Sequence, residues 1–323
     1  MKRVVTLGGG SGQYSVLRAL SHIKNIGITA IVSVADSGKS SGRLRDQYGG
    51  LPPGDILKAI VALSQWEPSL VRDILSIRFS TPSPLDGHSV GNLLLTLHAK
   101  FAREHKHPES FVSAIEHLSR LLCIREEAKV LPVCLNPLTV RGFLENGECI
   151  VGEHAIDEYR GAVPFTRVEL SPDNHVLYLN AKFEIQHVAD VVIVSPGSLH
   201  SSLLPVLQVN GMKSALAEKK IWFVCNTMTV RGDSHHLGVV TLTERLEEVI
   251  GRPFDCVFVD NTPLPRDILD SYHAEGAEQL ILAQQLCDSR FIAKSLVAPR
   301  PGESVRHDEE KLAYLLYNQL QNC

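Results

Sequence analysis

Two loops near the N-terminus carry the residue types that hold phosphorylated ligands. Gly8-Gly9-Gly10-Ser11-Gly12 puts four glycines in five positions, so the backbone can take positive φ and come close to a ligand. The second loop, Asp36-Ser37-Gly38-Lys39-Ser40-Ser41-Gly42-Arg43-Leu44-Arg45, mixes one carboxylate, three hydroxyls, two glycines and three cations. Such a set suits a ribose or sugar at one end and phosphate oxygens at the other.

Each loop follows an apolar β-branched run. Arg3 to Leu7 reads as a buried parallel strand, and Tyr14 to Ile23 as a helix whose N-terminal amides and dipole face the glycine loop. Ile28 to Val34 is a second strand, ending at Asp36. The dinucleotide fingerprint needs a third glycine where Gln13 stands, while Asp36 sits where such folds place a ribose-binding acid. A tight turn with a helix-capping Asp remains the plainer alternative. Gly38-Lys39-Ser40 imitates the end of a Walker loop, but the leading glycine would fall at Ser33, inside the strand, which excludes that motif.

Further along, Asp55 is expected to cap a helix from Ile56 to Gln65, followed by an amphipathic packing helix from Ser69 to Arg78. Ser89 caps the next helix, where His88 and Asn92, four apart, share a face and can look into the cleft of the glycine loop. For His88 alone, a capping or packing role is the blander reading. His105 and His107 on one loop, or His235 and His236 as neighbours, are poor metal pairs. From about residue 129 to 189 the texture is β-rich, with Asn146-Gly147 as a hairpin signal, which predicts an antiparallel excursion between two parallel βα halves.

The parallel pattern resumes at Val191–Val194, whose tip carries Gly197 and Ser198 at a helix start, a second anion cradle. His200 stands where a nucleophile elbow needs glycine, so covalent catalysis by Ser198 is disfavoured. The strand Ile221 to Cys225 delivers Asn226 and Thr229, and Cys256 to Val259 ends at Asp260. Asp308 caps the last helix, with Arg306 just before it, positioned to clamp a phosphate. At least four strand tips thus carry Gly, Ser, Asn or Asp. In a doubly wound sheet these tips line one crevice.

Composition bounds the partners. The 323 residues carry a formal net charge of −4, which gives no general attraction for nucleic acid or anionic lipid. Seven scattered cysteines without a Cys-x-x-Cys pair fit a reducing cytoplasm better than a zinc site or disulfide framework. The first apolar run is too short for a signal peptide, and none is long enough for a membrane span.

The motifs Gly8–Gly12, Asp36–Arg45, Leu51-Pro52-Pro53-Gly54-Asp55, His88-Ser89-Val90-Gly91-Asn92-Leu93, Pro196–Leu199 and Val224–Thr229 occur in an order that resembles the YvcK/CofD family over essentially the whole chain. The resemblance is closer to the YvcK branch, the gluconeogenesis factors. It implies a single α/β domain over 1–323, a Rossmann-like three-layer sandwich with a mostly parallel sheet and the β-rich excursion. It further implies binding of UDP-sugars such as UDP-N-acetylglucosamine or UDP-glucose, a regulatory role in central carbon metabolism, cell-envelope synthesis and cell shape, a protein partner in envelope-precursor metabolism, and a homodimer. The CofD branch implies the alternative: a magnesium-dependent transferase moving phospholactate from a guanosine diphosphate-linked donor to a deazaflavin.

Carried over by resemblance, Gly9, Gly10, Ser11 and Gly12 hold the diphosphate, and Asp36 and Ser37 face nucleoside or sugar; outside the family's pattern, Lys39 is placed to contact phosphate in a metal's stead, and Arg43, His88 and Asn92 join the candidate ligand-binding set. Gly197 and Ser198 form the second cradle, Asn226 and Thr229 touch the ligand, and Arg306 matches the arginine before the last helix. Asp36-Ser37-Gly38-Lys39 replaces the usual Asp-Asp-Gly-Gly, losing one carboxylate and gaining a cation. That change favours the binding role over metal-dependent transfer, because a divalent ion wants anionic oxygen ligands.

Overall fold

β1 (Lys2–Gly8) and β2 (Ile26–Val32) run parallel in register from Lys2↔Ile26 to Gly8↔Val32. Every residue of β2 is buried. The same holds for β7 (Val191–Val194) and β8 (Ile221–Val224), which therefore read as unbroken apolar runs covered on both faces. The structure, a computed structural model, describes residues 1–107, 109–235, 237–283, 288–300 and 302–322, with only the backbone of Lys39.

Among the described residues the main sheet has seven parallel strands in the order β10-β9-β8-β7-β1-β2-β3, with β3 at Ala128–Pro132, β9 at Cys256–Asp260 and β10 at Phe291–Lys294. After β1 the chain builds outward through β2 and β3, then returns to the other side of β1 as β7. The strand order reverses between β1 and β7, so a crevice opens at their C-terminal ends. This is the expected Rossmann-like architecture, with α1 (Gly10–Ser21), α2 (Lys39–Tyr48), α3 (Gly54–Leu63), α4 (Pro68–Ser76) and α5 (Val90–Glu104) in the first half.

Gln13 explains why the third fingerprint glycine is missing. Its buried amide donates to Thr6 Oγ1 at 3.1 Å and to the Ile31 carbonyl at 3.1 Å, tying α1 to both β1 and β2. The demand for a small residue falls one position earlier. A Cβ on Gly12 would overlap the Pro196 carbonyl, so α1 crosses the loop after β7 with no room for a side chain. Gly10 takes φ +63, as the turn into the helix requires.

Several elements differ from the sequence reading. The antiparallel sheet, order β5-β4-β6, comprises β4 (Thr139–Leu144), β5 (Cys149–Val151) and β6 (Phe165–Ser171). It begins later than residue 129, because Ala128–Pro132 is the edge of the parallel sheet. Asn146 and Gly147 lie in a four-residue loop between Leu144 and Cys149, with Gly147 at φ +88. Pro53 takes the cap position of α3, so Asp55 sits in its first turn and pairs with Lys58 instead. Glu109, at φ +49, occupies the cap position of the helix Ser110–Leu121. Ser89 and Asp308 do cap as expected, accepting from Asn92 N and from Glu310 N and Lys311 N.

Gly12→Ala is expected to destabilise the protein by about 1–3 kcal/mol, the usual cost of forcing atoms into a packed contact, and to lower the urea midpoint. Gly238→Ala, where an added Cβ meets nothing within 4 Å, is the control expected to change it far less.

Candidate ligand-binding groove

The tips of β7 and β8 build the first compartment. Asn226 fixes the β7 loop from both sides: Gly197 N donates to its Oδ1 at 3.2 Å, and its Nδ2 donates to the Gly197 carbonyl at 2.7 Å. Thr229 is buried and exchanges bonds with Glu278, its amide donating to the Glu278 carbonyl and its Oγ1 accepting from Glu278 N, both at 2.8 Å. The helix start after β7 is an anion site that the chain fills itself. Asp233 accepts from Leu199 N at 2.8 Å and His200 N at 2.9 Å, and its Oδ1 lies 3.0 Å from His200 Nδ1. Ser198 Oγ donates to Asp157 at 2.7 Å. With Ser11, Gly12 and Arg306, the residues Gly197, Ser198, Asn226 and Thr229 line a cavity of about 260 Å³.

The tip of β2 builds the second. Asp36 Oδ1 accepts from Gly38 N at 2.8 Å, and the carboxylate packs against Gly54, where a side chain would collide with it. Burial and the charge of Asp55 push the Asp36 carboxyl above its ordinary range. Glu153, on the helix Glu153–Asp157 of the excursion, joins them: burial, then Asp36 and Asp55, raise it to about 8. Asp55 Oδ1 lies 3.0 Å from Lys58 Nζ and raises that ammonium. Gly9 is needed here too, since a Cβ on it would sit 2.6 Å from Asp55 Oδ2.

Ser40 gathers His88 and Asn92, with His88 Nδ1 at 3.1 Å and Asn92 Nδ2 donating at 3.0 Å. His88 is buried and held below its usual pKa by burial and by Arg43 and Arg78. Arg43 donates to the carbonyls of Asp86 at 2.7 Å and Pro84 at 3.2 Å, and Arg78 to that of Gly87 at 2.8 Å. This compartment, with Asp36, Arg43, Asn92 and His154 in its walls, encloses about 710 Å³.

A waist of about 150 Å³ joins the two. It shares Ser11 and Arg306 with the first and Leu57, Lys58, Leu75 and Ser76 with the second. One groove therefore runs along the C-terminal edge of the sheet. A separate cavity of about 530 Å³ lies at the other edge, between Lys2, Ile26, Tyr314 and Tyr317. Among the described residues it is lined by the starts of β1 and β2 and by none of the C-terminal strand tips or glycine loops.

The residues singled out by sequence divide accordingly. Ser11, Gly12, Gly197, Ser198, Asn226, Thr229 and Arg306 line the first compartment; Asp36, Arg43 and Asn92 line the second. Gly9 and Gly10 form the turn beneath them. His88 stands behind Ser40, and Ser37 is engaged by the excursion, its Oγ accepting from His154 N at 2.9 Å and its amide donating to Glu153 at 3.3 Å. The side chain of Lys39 and the whole of His236 fall outside the described residues. Tyr14, Lys58, Arg72 and Glu153 carry no motif that marks them; the i,i+3 spacing of Asp55 and Lys58 is the one local signal among them. Asp260 does not join Asp36 and Asp55: it accepts from Thr262 Oγ1, Leu296 N and Val297 N at the end of β9.

The model of the family described as 2-phospho-L-lactate transferase CofD matches residues 4–294. The chain belongs to the CofD family. Its curated relatives carry another label. The gluconeogenesis factor of Bacillus subtilis strain 168 is 33% identical over 324 residues, covering 99% of this chain and 98% of that one. The gluconeogenesis factor of Listeria monocytogenes is 32% identical, with 99% and 96% covered. The crystal structure of a UPF0052 family member from Bacillus halodurans superposes on this CofD-family chain with a TM-score of 0.87 at 31% identity, covering 98% of this chain and 99% of that one. Among the described residues no helix is long and apolar enough to cross a membrane.

The Glu153 proton gives a pH prediction. The folded state holds it more tightly than the unfolded chain, so this stability is present in full below the ordinary value of 4.5 and is lost as pH rises toward about 8. Glu153→Gln is expected to flatten the decline of the melting temperature over that interval. An unchanged slope would show that the carboxyl titrates normally.

Proposed function

We propose that this CofD-family chain binds a nucleotide sugar, UDP-N-acetylglucosamine or UDP-glucose, and acts as a regulatory protein of central carbon metabolism and cell-envelope synthesis, with an influence on cell shape. The carrying observation is the continuous groove with an unpaired guanidinium at its waist. Arg306 is exposed, and among the described residues no acceptor is bonded to it. A nucleoside diphosphate sugar is long, with its negative charge in the middle and polar groups at both ends. The nucleoside fits beside Asn226 and Thr229, the diphosphate over the first turn of α1 and Arg306, and the sugar hydroxyls toward Asp36 and Asn92.

Relatives covering nearly the whole chain are named gluconeogenesis factors, which supports the regulatory reading. The same reading takes the protein to be cytoplasmic, to act through a protein partner in envelope-precursor metabolism, and to work as a homodimer.

The Asp36 and Asp55 carboxylates favour a second reading, a transferase of the phospholactate kind. Magnesium usually takes one or two carboxylates from a protein and completes its shell from phosphate and water. Asp36 and Asp55 fit that share. Among the described residues no three His, Cys, Asp or Glu side chains form a cage for the ion by themselves. When bound, the ion would supply charge neutralisation for a diphosphate beside the acidic end. Glu153 would hold a proton there at neutral pH.

Thermal-shift titration with UDP-N-acetylglucosamine, UDP-glucose and GDP, with and without magnesium, separates the readings. UDP-sugars at about 100 times their dissociation constant are expected to add about 2.7 kcal/mol without metal, and Arg306→Ala to abolish the shift. A response to GDP only with magnesium would overturn the binding reading in favour of transfer.

A further inference from the structure

The waist is the one part of the groove whose size and charge select a single chemical group. Its 150 Å³ can take phosphate groups but not a nucleoside or a hexose as well. Lys58, Arg72 and Arg306 line it, and no carboxylate does. Lys58 is already paired with Asp55 at 3.0 Å. Among the described residues Arg72 pairs only with its neighbour Asp73, 3.7 Å away with both side chains more than half exposed, a pairing of little strength. Arg306 has no partner among the described residues. Two guanidinium groups are thus left facing one small cavity.

We propose that Arg72, from α4, closes an anion clamp with Arg306 across the first turn of α1, and that the waist holds the pyrophosphate of the ligand. The proposal deepens the nucleotide-sugar reading, but the clamp itself recognises pyrophosphate whatever is attached to it. Tyr14 lines the same cavity, and the charges of Arg18, Arg72, Glu309 and Arg306 all act on its phenol. Leu57, Val61 and Leu75 form an apolar wall on one side of the cavity. Ser11 and Ser76 add hydroxyl donors. A ligand reaching from Asn226 to Asp36 must pass this point. The helix expected only to pack therefore carries a binding residue one turn before Leu75 and Ser76.

The test is calorimetric titration of the full chain with inorganic pyrophosphate, and separately with UDP-N-acetylglucosamine, for wild type, Arg72→Ala, Arg72→Lys and Arg306→Ala. Loss of a charge-assisted contact is expected to weaken pyrophosphate binding about tenfold or more in Arg72→Ala. Arg72→Lys should recover part of this, keeping the charge but not the bidentate fork. The unliganded melting temperature should stay at the wild-type value, since Arg72 is 53% exposed.

Wild-type pyrophosphate affinity in Arg72→Ala would overturn the clamp, as would a wild-type protein that does not bind pyrophosphate. The two readings fail separately. Arg72-dependent pyrophosphate binding without any UDP-sugar binding would leave the clamp standing and remove the nucleotide-sugar assignment. UDP-sugar binding indifferent to Arg72 would do the reverse.

Discussion

The passage of α1 over the loop after β7 sets the geometry of everything else. Gly12 lies against the Pro196 carbonyl with no space for a methyl group, and Gln13 beside it binds back to β1 and β2. That contact joins the two halves of the sheet at the point where the strand order reverses. It brings Ser11 beside Gly197 and Asn226, and it lets the segment before the last helix lay Arg306 over the same turn. A wider crossing would split the groove into two unrelated hollows.

Charge is distributed along the groove in a consistent order. The Asp36, Asp55 and Glu153 carboxylates crowd one end, where burial and the charge of Asp55 raise Asp36, and burial with the charges of Asp36 and Asp55 raises Glu153. Cations occupy the waist. At the far end the free amides after β7 are already neutralised by Asp233, so diphosphate has a stronger claim on the waist than on that second cradle. The excursion reinforces the arrangement. Its short helix Glu153–Asp157 accepts from Ser37 N at one end and from Ser198 and Ser201 at the other. The β-rich segment is a strap across both ligand loops, and its Glu153 ties that strap to the protonation state of the acidic end.

The parts of this design written in local sequence were legible. Glycine runs after β-branched strands, the acid at the tip of β2 and the Ser89 and Asp308 caps each depend on residues close in the chain. The parts that depend on distant elements were not. β10 is a four-residue edge strand, Phe291–Lys294, paired on one side only, too short to show a pattern. α2 is rich in Ser, Gly and cations, and its propensity reads as loop. Arg72 and Lys58 resemble any solvated helix charge until it is known that α3 and α4 flank a sheet edge. Tyr14 reads as packing until Arg72 and Arg306 are seen beside it.

The central claim is that one ligand engages both compartments through the waist. Hydrogen–deuterium exchange of the protein with and without UDP-N-acetylglucosamine addresses it directly, because amide protection reports which segments a ligand orders. The account expects simultaneous protection of Gly9–Gly12, Gly197–Leu199 and Val305–His307 on one side, and of Gly38–Arg45 and α4 on the other. Protection confined to one compartment, with the other exchanging as in the free protein, would contradict it.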